Sequence, residues 1–222
     1  MMYTEQIEPL YVFAVYMLGS RDEAFAAVCA ATALHPGAPE RWLAALVRPF
    51  LVRPAPPRPD RFAELDDILR TDSTIPIDLS HPLVRGDVGR MGVLLSELRR
   101  SCLLSTLRGL TPERRAVFIL RHVLGLSRET CAEVCGTTIS ALTVSEGRGR
   151  RDLEGYLGAR CEHMDPGNAC HCAARLGNAL DRGLVRWPEH HEHDAASFPG
   201  QTYRQVRDLY ASLPRVRLPI VA

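Results

Sequence analysis

Thiols and imidazoles crowd one short stretch, "RCEHMDPGNACHC" at 160–172, which carries Cys161, His163, Cys170, His171 and Cys172. A soft tetrahedral metal site needs four such donors from a tight loop, and the Asp-Pro-Gly-Asn turn at 165–168 can fold the two ends together. The spacing gives Cys161, His163, Cys170 and Cys172 as the ligand set for zinc, with His171 as competitor. Bound zinc would stabilise this core-poor segment, by roughly 10 kcal/mol or more in isolated finger peptides. Two other uses stay open for the thiols: partly buried small hydrophobes, or a redox-labile pair. Further along, "EHHEHD" offers His190, His191 and His193 as extra ligands or as a solvated loop. Cys131 and Cys135, four apart, read as core on the inner side of a helix, and Cys29 and Cys102 also read as core.

The second chemical feature lies just upstream. "LSRETCAEVCGTTISALTVSEGRGRRDL" at 126–153 reads as two short apolar helices hinged at Gly136, the second carrying arginines. At 100° per residue, Ile139, Leu142, Leu153 and Leu157 share the side that packs on the first helix. Opposite them lie Ser140, Val144, Arg148 and Arg151, with Thr143 and Arg150 on one flank and Ser145 on the other. Ser140, Thr143 and Ser145 can approach base edges and Val144 can meet a thymine methyl, while Arg148, Arg150 and Arg151 can hold phosphates. Spacing alone serves a surface-charged helical hairpin equally well.

The elements that must position these residues are helical. Residues 5–18, 21–34 and 39–52 read as three helices, and "RPAPPRPDRF" then sets four prolines within six residues, which no helix survives. Up to about residue 92 one helix-like piece stands out, "DRFAELDDILR". Helical spacing returns at "VLLSELRRSCLLSTLRGL", followed by "TPERRAVFILRHVLG" with Thr111 as cap, Pro112 at the first position and Gly125 at the stop. A further helix at 173–182 and a docking helix at 200–212, with Tyr203, Val206, Tyr210 and Leu213 on one side, complete the chain. No strand-like alternation competes, so the expected class is all-α. The organisation reads as a helical domain at 1–53, a Pro-rich linker at 54–92, a helix-turn-helix domain at 93–158 and a Cys/His extension at 159–222.

Net charge is +1 over 222 residues, so any basic surface must be local, and every basic residue is Arg. The seven cysteines are odd in number and the start lacks the basic flank of a secretory signal, which reads as a cytoplasmic protein with reduced thiols and no membrane span. No Gly-rich phosphate loop, nucleophile elbow or paired carboxylates emerge, so an enzyme is not expected.

The residues from "LRGLTPERRAVFILRHVLGLS" through "RGRRDL" carry Leu107, Leu110, Arg115, Gly125–Ser127, Ala132 and Gly136 in order and without a gap. This stretch resembles the promoter-reading region 4 domain of bacterial extracytoplasmic-function sigma factors. "IEPLYVFAVYMLGSRDEAFAAV" and "RWLAALVR" resemble, more loosely, the helices of that family's region 2, and "RCEHMDPGNACHCAARL" a cysteine motif found after the reading helix in a subset of it. The resemblance implies a transcription initiation factor whose partners are promoter DNA at the −35 element, RNA polymerase core and an anti-sigma or other regulatory protein.

Departures from the family pattern qualify that expectation. Phe25, Ala26, Cys29 and Ala30 stand where a polar polymerase-docking face is usual, and Thr143 and Ser145 where basic residues are frequent. The segment matching the −10 reader is short, with only Trp42, Phe50, Arg53, Arg58, Arg61 and Phe62 as candidates. Glu146 takes a packing position the family gives to Leu, which is costly if left unpaired, and Gly147 and Gly149 each weaken the helix by about 1 kcal/mol. A second reading is therefore a sigma-derived adaptor or antagonist that binds another regulator without full polymerase docking.

Overall fold

In the computed structural model, residues 4–52, 61–71, 80–187 and 201–213 are described, with 74, 77, 216 and 218 besides. Arg53, Arg58, most of the Pro-rich stretch and His190, His191 and His193 lie outside the described residues. The described chain is all-helical, and its only extended pairing is an isolated parallel bridge between Cys161 and Cys170. Among the described residues no helix is long and apolar enough to cross a membrane.

Helices α1 (Thr4–Leu18), α2 (Arg21–Leu34) and α3 (Pro39–Val52) form from the three N-terminal patterns. The second half of α1 is apolar and deeply buried, including Tyr11, Phe13 and Ala14, so that half is buried around more than one face. Ser20 caps α2 by accepting the Glu23 N–H at 3.3 Å, and Asp22 and Glu23 stand where the helix dipole favours acids. In α3 one stripe, Trp42, Leu46 and Val47, is buried, and the Trp42 indole donates to the His35 carbonyl at 2.8 Å. Proline at position 49 does not end α3, which runs on to Val52.

Helix α4 (Arg61–Thr71) corresponds to the "DRFAELDDILR" piece, and α5 (Val88–Leu107) begins five residues before the expected order at 93. Helix α6 (Pro112–Phe118) starts as expected, its cap Thr111 accepting the Arg114 N–H at 3.4 Å. Its continuation Ile119–Val123 widens into a π turn, with Leu124 N–H donating to the Ile119 carbonyl at 2.9 Å. Gly125 then takes the left-handed conformation at φ +69, which ends the helix. Helices α7 (Arg128–Cys135), α8 (Ile139–Gly158), α9 (Cys172–Asp181) and α10 (Val206–Ala211) follow.

The described residues group into two compact units. One holds the described parts of 1–58, 107–152 and 215–222; the other holds those of 59–106 and 153–214. In the first unit α3 packs on α2, α6 and α7. Its tie is Arg115, only 2% exposed, whose guanidinium donates to the carbonyls of Met17, Leu107, Arg108 and Leu110 at 2.8–3.2 Å. Four carbonyl partners are what makes a charge tolerable at that depth. The second unit has its own core of Val84, Leu94, Leu176, Ala179 and Val185. There Phe62 stacks on Tyr156 at 4.6 Å and Asp66 pairs bidentately with Arg160 at 2.5 and 2.7 Å. Although α10 spans six residues, Val206, Leu209 and Tyr210 are buried and the Tyr210 hydroxyl donates to the Leu103 carbonyl.

Candidate nucleic-acid interface and candidate metal centre

The helix–turn–helix is built by local capping chemistry. Ser127 opens α7 by accepting the Thr130 N–H at 3.1 Å. Gly136 closes it at φ +66, with Gly136 N–H donating to the Glu133 carbonyl and Thr137 N–H to that of Ala132. That pair of bonds is a Schellman closure, which needs a residue without Cβ strain at the left-handed position. Thr138 caps α8 by accepting the Ala141 N–H at 3.2 Å. The turn is thus three residues, Gly136 to Thr138.

Three of the four apolar positions expected to pack, Leu142, Leu153 and Leu157, are buried. Ile139 is not: it sits in the first turn of α8 and is 46% exposed. On the expected reading face, Ser140, Thr143, Val144, Arg148 and Arg151 are exposed and Arg150 is half-buried. Thr143 donates its hydroxyl to the Ile139 carbonyl at 2.8 Å, which leaves the oxygen as an acceptor toward solvent. Ser145 departs from the expectation, being only 6% exposed. It lines an open hollow of about 550 Å³ with Ala141, Val144 and Arg148 of α8, Phe50 and Leu51 of α3, and the start of α6. Across the same wall Arg114 pairs with Asp152 at 2.7 Å.

Glu146 is buried, as its packing position implies, but it is not unpaired. Its carboxylate takes Arg121 at 3.4 Å, His122 at 3.3 Å and Arg128 at 3.0 Å. One acid therefore joins the π turn, the first residue of α7 and the middle of α8. Arg121 also donates to the Leu126 carbonyl. From α3, Arg48 donates to the carbonyls of Glu133 and Val134 at 3.2 Å, where the negative end of α7 favours a cation. Gly147 and Gly149 of α8 differ in what surrounds them. A Cβ on Gly149 would stand 3.3 Å from Arg114 Cβ and 3.4 Å from its carbonyl, whereas one on Gly147 would meet nothing within 4 Å. Only Gly149 is there for close helix packing.

In the second unit the Asp-Pro-Gly-Asn turn folds back as its sequence suggests. Asp165 accepts the Gly167 N–H, and the Asn168 amide donates to the carbonyls of Gly158 and Cys161 at 2.9 and 3.0 Å. Cys161 and Cys170 are thereby brought side by side. Among the described residues, the donors that stand within 4.8 Å of one another are Glu162, His163 and Cys172, a group that could coordinate a metal ion. Of the residues expected as ligands, His163 and Cys172 fall in this group, and Cys161 and Cys170 fall outside it. His171 lies outside the group, its Nδ1 on Glu162 at 2.9 Å.

Glu162 escapes a reading of the sequence because it lies between two stronger donors. It accepts the Cys172 N–H at 2.6 Å as well as facing His171. Burial pushes its carboxyl up, but the Cys172 N–H, His171 and His163 outweigh burial and hold it below the ordinary carboxylate value. Burial pushes the thiols the other way from reactivity: Cys161 to about 11, with Cys170 and Cys172 also raised. A redox-labile thiolate needs the opposite shift. Cys131 is buried as expected and pushed by burial to about 12. Cys29, expected in the core, is exposed on α2, because the buried stripe there is Ala24, Val28 and Ala31.

No curated protein and no solved structure matches the chain. A family model does, over about a quarter of its 222 residues. That model is described as sigma-70, region 4, and residues 100–153, which hold α6, α7 and most of α8, carry a sigma-70 region 4-like helix-turn-helix.

Proposed function

We propose that this chain is a sigma-like transcription factor that binds promoter DNA through α8 and associates with RNA polymerase. The observation that carries the reading is the exposed face of Ser140, Thr143, Val144, Arg148 and Arg151 on the second helix of a region 4-like module. In this reading Ser140, Thr143 and Val144 approach base edges at a −35 element, and Arg148, Arg150 and Arg151 anchor phosphates as guanidinium forks. Ser145 belongs to the wall of the hollow beside them. Residues 1–53 act as a region 2-like module, 93–158 as the reading domain, and the extension as a zinc-bearing element with Cys161, His163, Cys170 and Cys172 as donors and His171 as competitor. The protein works in the cytoplasm, under an anti-sigma or other regulatory partner.

A specific observation favours a second reading, a sigma-derived adaptor or antagonist. Phe25, Ala26, Cys29 and Ala30 are exposed together on α2, an apolar strip where the family resemblance leads one to expect a polar docking face. Asp22 and Glu23 are exposed beside it, which suits the first reading. A pull-down of bacterial RNA polymerase core separates the two, with a Phe25→Glu, Cys29→Gln variant alongside. Binding by the wild type supports an initiation factor docking through an apolar surface. Binding by the variant alone supports the adaptor, and binding by neither rules out polymerase as a partner.

A further inference from the structure

One of the donors that the fold brings together in the second unit is a carboxylate. Glu162, His163 and Cys172 each offer a ligand atom within 4.8 Å of the other two. Glu162 follows Cys161, which pairs with Cys170 in the isolated bridge, and its N–H donates to the Cys170 carbonyl at 3.2 Å. From there its side chain reaches the start of α9, where Oε1 accepts the Cys172 N–H at 2.6 Å. His171, the residue before α9, makes no capping bond with its side chain; its Nδ1 lies on Glu162 Oε2 at 2.9 Å. Glu162 thus supplies the cap that His171 does not, and the otherwise unpartnered N–H at the helix start fixes the carboxylate beside Cys172. A carboxylate has about four lone-pair sites, so one bond to each oxygen leaves both able to take a cation.

The imidazole of His163 is oriented in the same sense. His163 is 4% exposed, and its Nδ1 faces the Gln201 carbonyl at 3.0 Å. A carbonyl can only accept, so Nδ1 carries the proton and Nε2 presents its lone pair. This is how a ligating histidine is usually held, with the other ring nitrogen on a backbone carbonyl. Nε2 stands 3.6 Å from Cys172 Sγ, a contact that suits a thiol donating to an imidazole. It also suits a shared ion, because two ligands at about 2.0 and about 2.3 Å from a tetrahedral zinc stand roughly 3.6 Å apart. The Tyr203 N–H donates to the His163 carbonyl at 2.7 Å, so the segment at 201–203 holds the residue from both sides. Cys170, by contrast, lines a separate hollow of about 250 Å³ with Asp66, Arg160 and Arg175.

We propose that Glu162 is a metal ligand, and that the centre of the extension is a three-donor zinc site of Glu162, His163 and Cys172 with water in the fourth position. The inference rests on the metal reading of the extension and puts Glu162 in its donor set in place of Cys161 and Cys170. Zinc accepts carboxylate oxygen, imidazole nitrogen and thiolate sulfur alike in tetrahedral geometry. Three protein donors leave one position exchangeable, whereas a site with four is closed. Glu162 and Cys172 are partly exposed, so water has access to that position. On binding, the Cys172 sulfur joins zinc as thiolate and its proton passes to solvent, while the ionised Glu162 and the Nε2 lone pair give up none. The ion therefore displaces one proton, as against three from a site built on three thiols.

The test is cobalt and zinc titration of the full chain, with proton release followed in weak buffer, beside Glu162→Gln and Glu162→His variants whose helicity is checked by circular dichroism. The wild type is expected to bind one ion and to release about one proton. Glu162→Gln should lose at least about tenfold in affinity, the lower end of what even an outer-shell change costs. Glu162→His, which offers zinc a nitrogen in place of the oxygen, should regain it. Wild-type affinity in Glu162→Gln overturns the proposal. So does a loss that Glu162→His does not repair, which makes Glu162 a positioning residue acting through α9. Release of three protons restores the set with Cys161 and Cys170, and a wild type that binds neither ion removes the metal reading itself. Should the variants not fold, zinc-dependent protection from alkylation in the wild type decides: Cys172 protected alone supports the proposal, and Cys161 and Cys170 protected with it refute it.

Discussion

Glu146 offers the sharpest test of how the reading helix is held. Its side chain is 9% exposed, as against 20% for Arg121, 10% for His122 and 47% for Arg128. Glu146→Gln keeps the shape and one acceptor but removes the charge that three groups share. Breaking a fully buried pair costs about 3–5 kcal/mol, while a hydrogen bond to a charged group is worth about 1.5–3 kcal/mol. Arg128 is half in water and contributes little, so the lower range applies and a loss of about 2 kcal/mol is expected. For a chain of this size that corresponds to a fall in Tm of roughly 4–8 °C. Glu146→Leu, the residue the family pattern favours, should cost at least as much, because it leaves Arg121 without its carboxylate. Thermal and urea unfolding followed by circular dichroism measure both variants. A loss below about 0.5 kcal/mol for Gln, within the range of an ordinary surface change, or a gain for Leu, refutes the reasoning.

Three further outcomes follow from the same contacts. Gly147→Ala should stabilise α8 by about 0.5–1 kcal/mol, while Gly149→Ala should gain nothing or lose stability against Arg114; equal gains in urea midpoints contradict this. Arg115→Lys keeps the charge but cannot reach four carbonyls with the same fork, so a loss of at least about 2 kcal/mol is expected, and unchanged stability contradicts it. The hydrogen bond from Arg160 holds the Asp66 carboxyl below its usual value, so the folded state takes up its proton at lower pH than the unfolded chain. The stability from that pair is present above the ordinary carboxylate range and lost as pH falls through the lowered value. The difference in urea midpoint between wild type and Asp66→Asn should therefore shrink on acidification, and a difference independent of pH contradicts it.

What is legible in the sequence is what local chemistry determines. Thr111-Pro112, Ser127, Gly136 and Thr138 mark helix ends by bonds within a few residues, and those ends stand in the structure where the sequence puts them. Periodicity orders residues around a helix but does not say how far the neighbour reaches. Hence Ile139 is exposed in the first turn of α8, and Ser145 is buried in a wall shared with Phe50 and Leu51 of α3. Glu162 is hidden in the sequence between Cys161 and His163, two stronger donors. Arg115 is visible only as part of a family pattern; its four carbonyl partners belong to the tertiary fold.

In the proposed function the exposed face of α8 binds nucleic acid. Its most direct test is fluorescence anisotropy of a labelled duplex titrated with wild type and with the Arg148→Ala, Arg151→Ala double variant over a series of salt concentrations. Wild-type binding should weaken with salt, and the variant, of unchanged helicity, should lose affinity or show a salt slope lower by about 1.8, roughly 0.9 for each phosphate contact removed. Equal affinity and equal slope for the two proteins would contradict it.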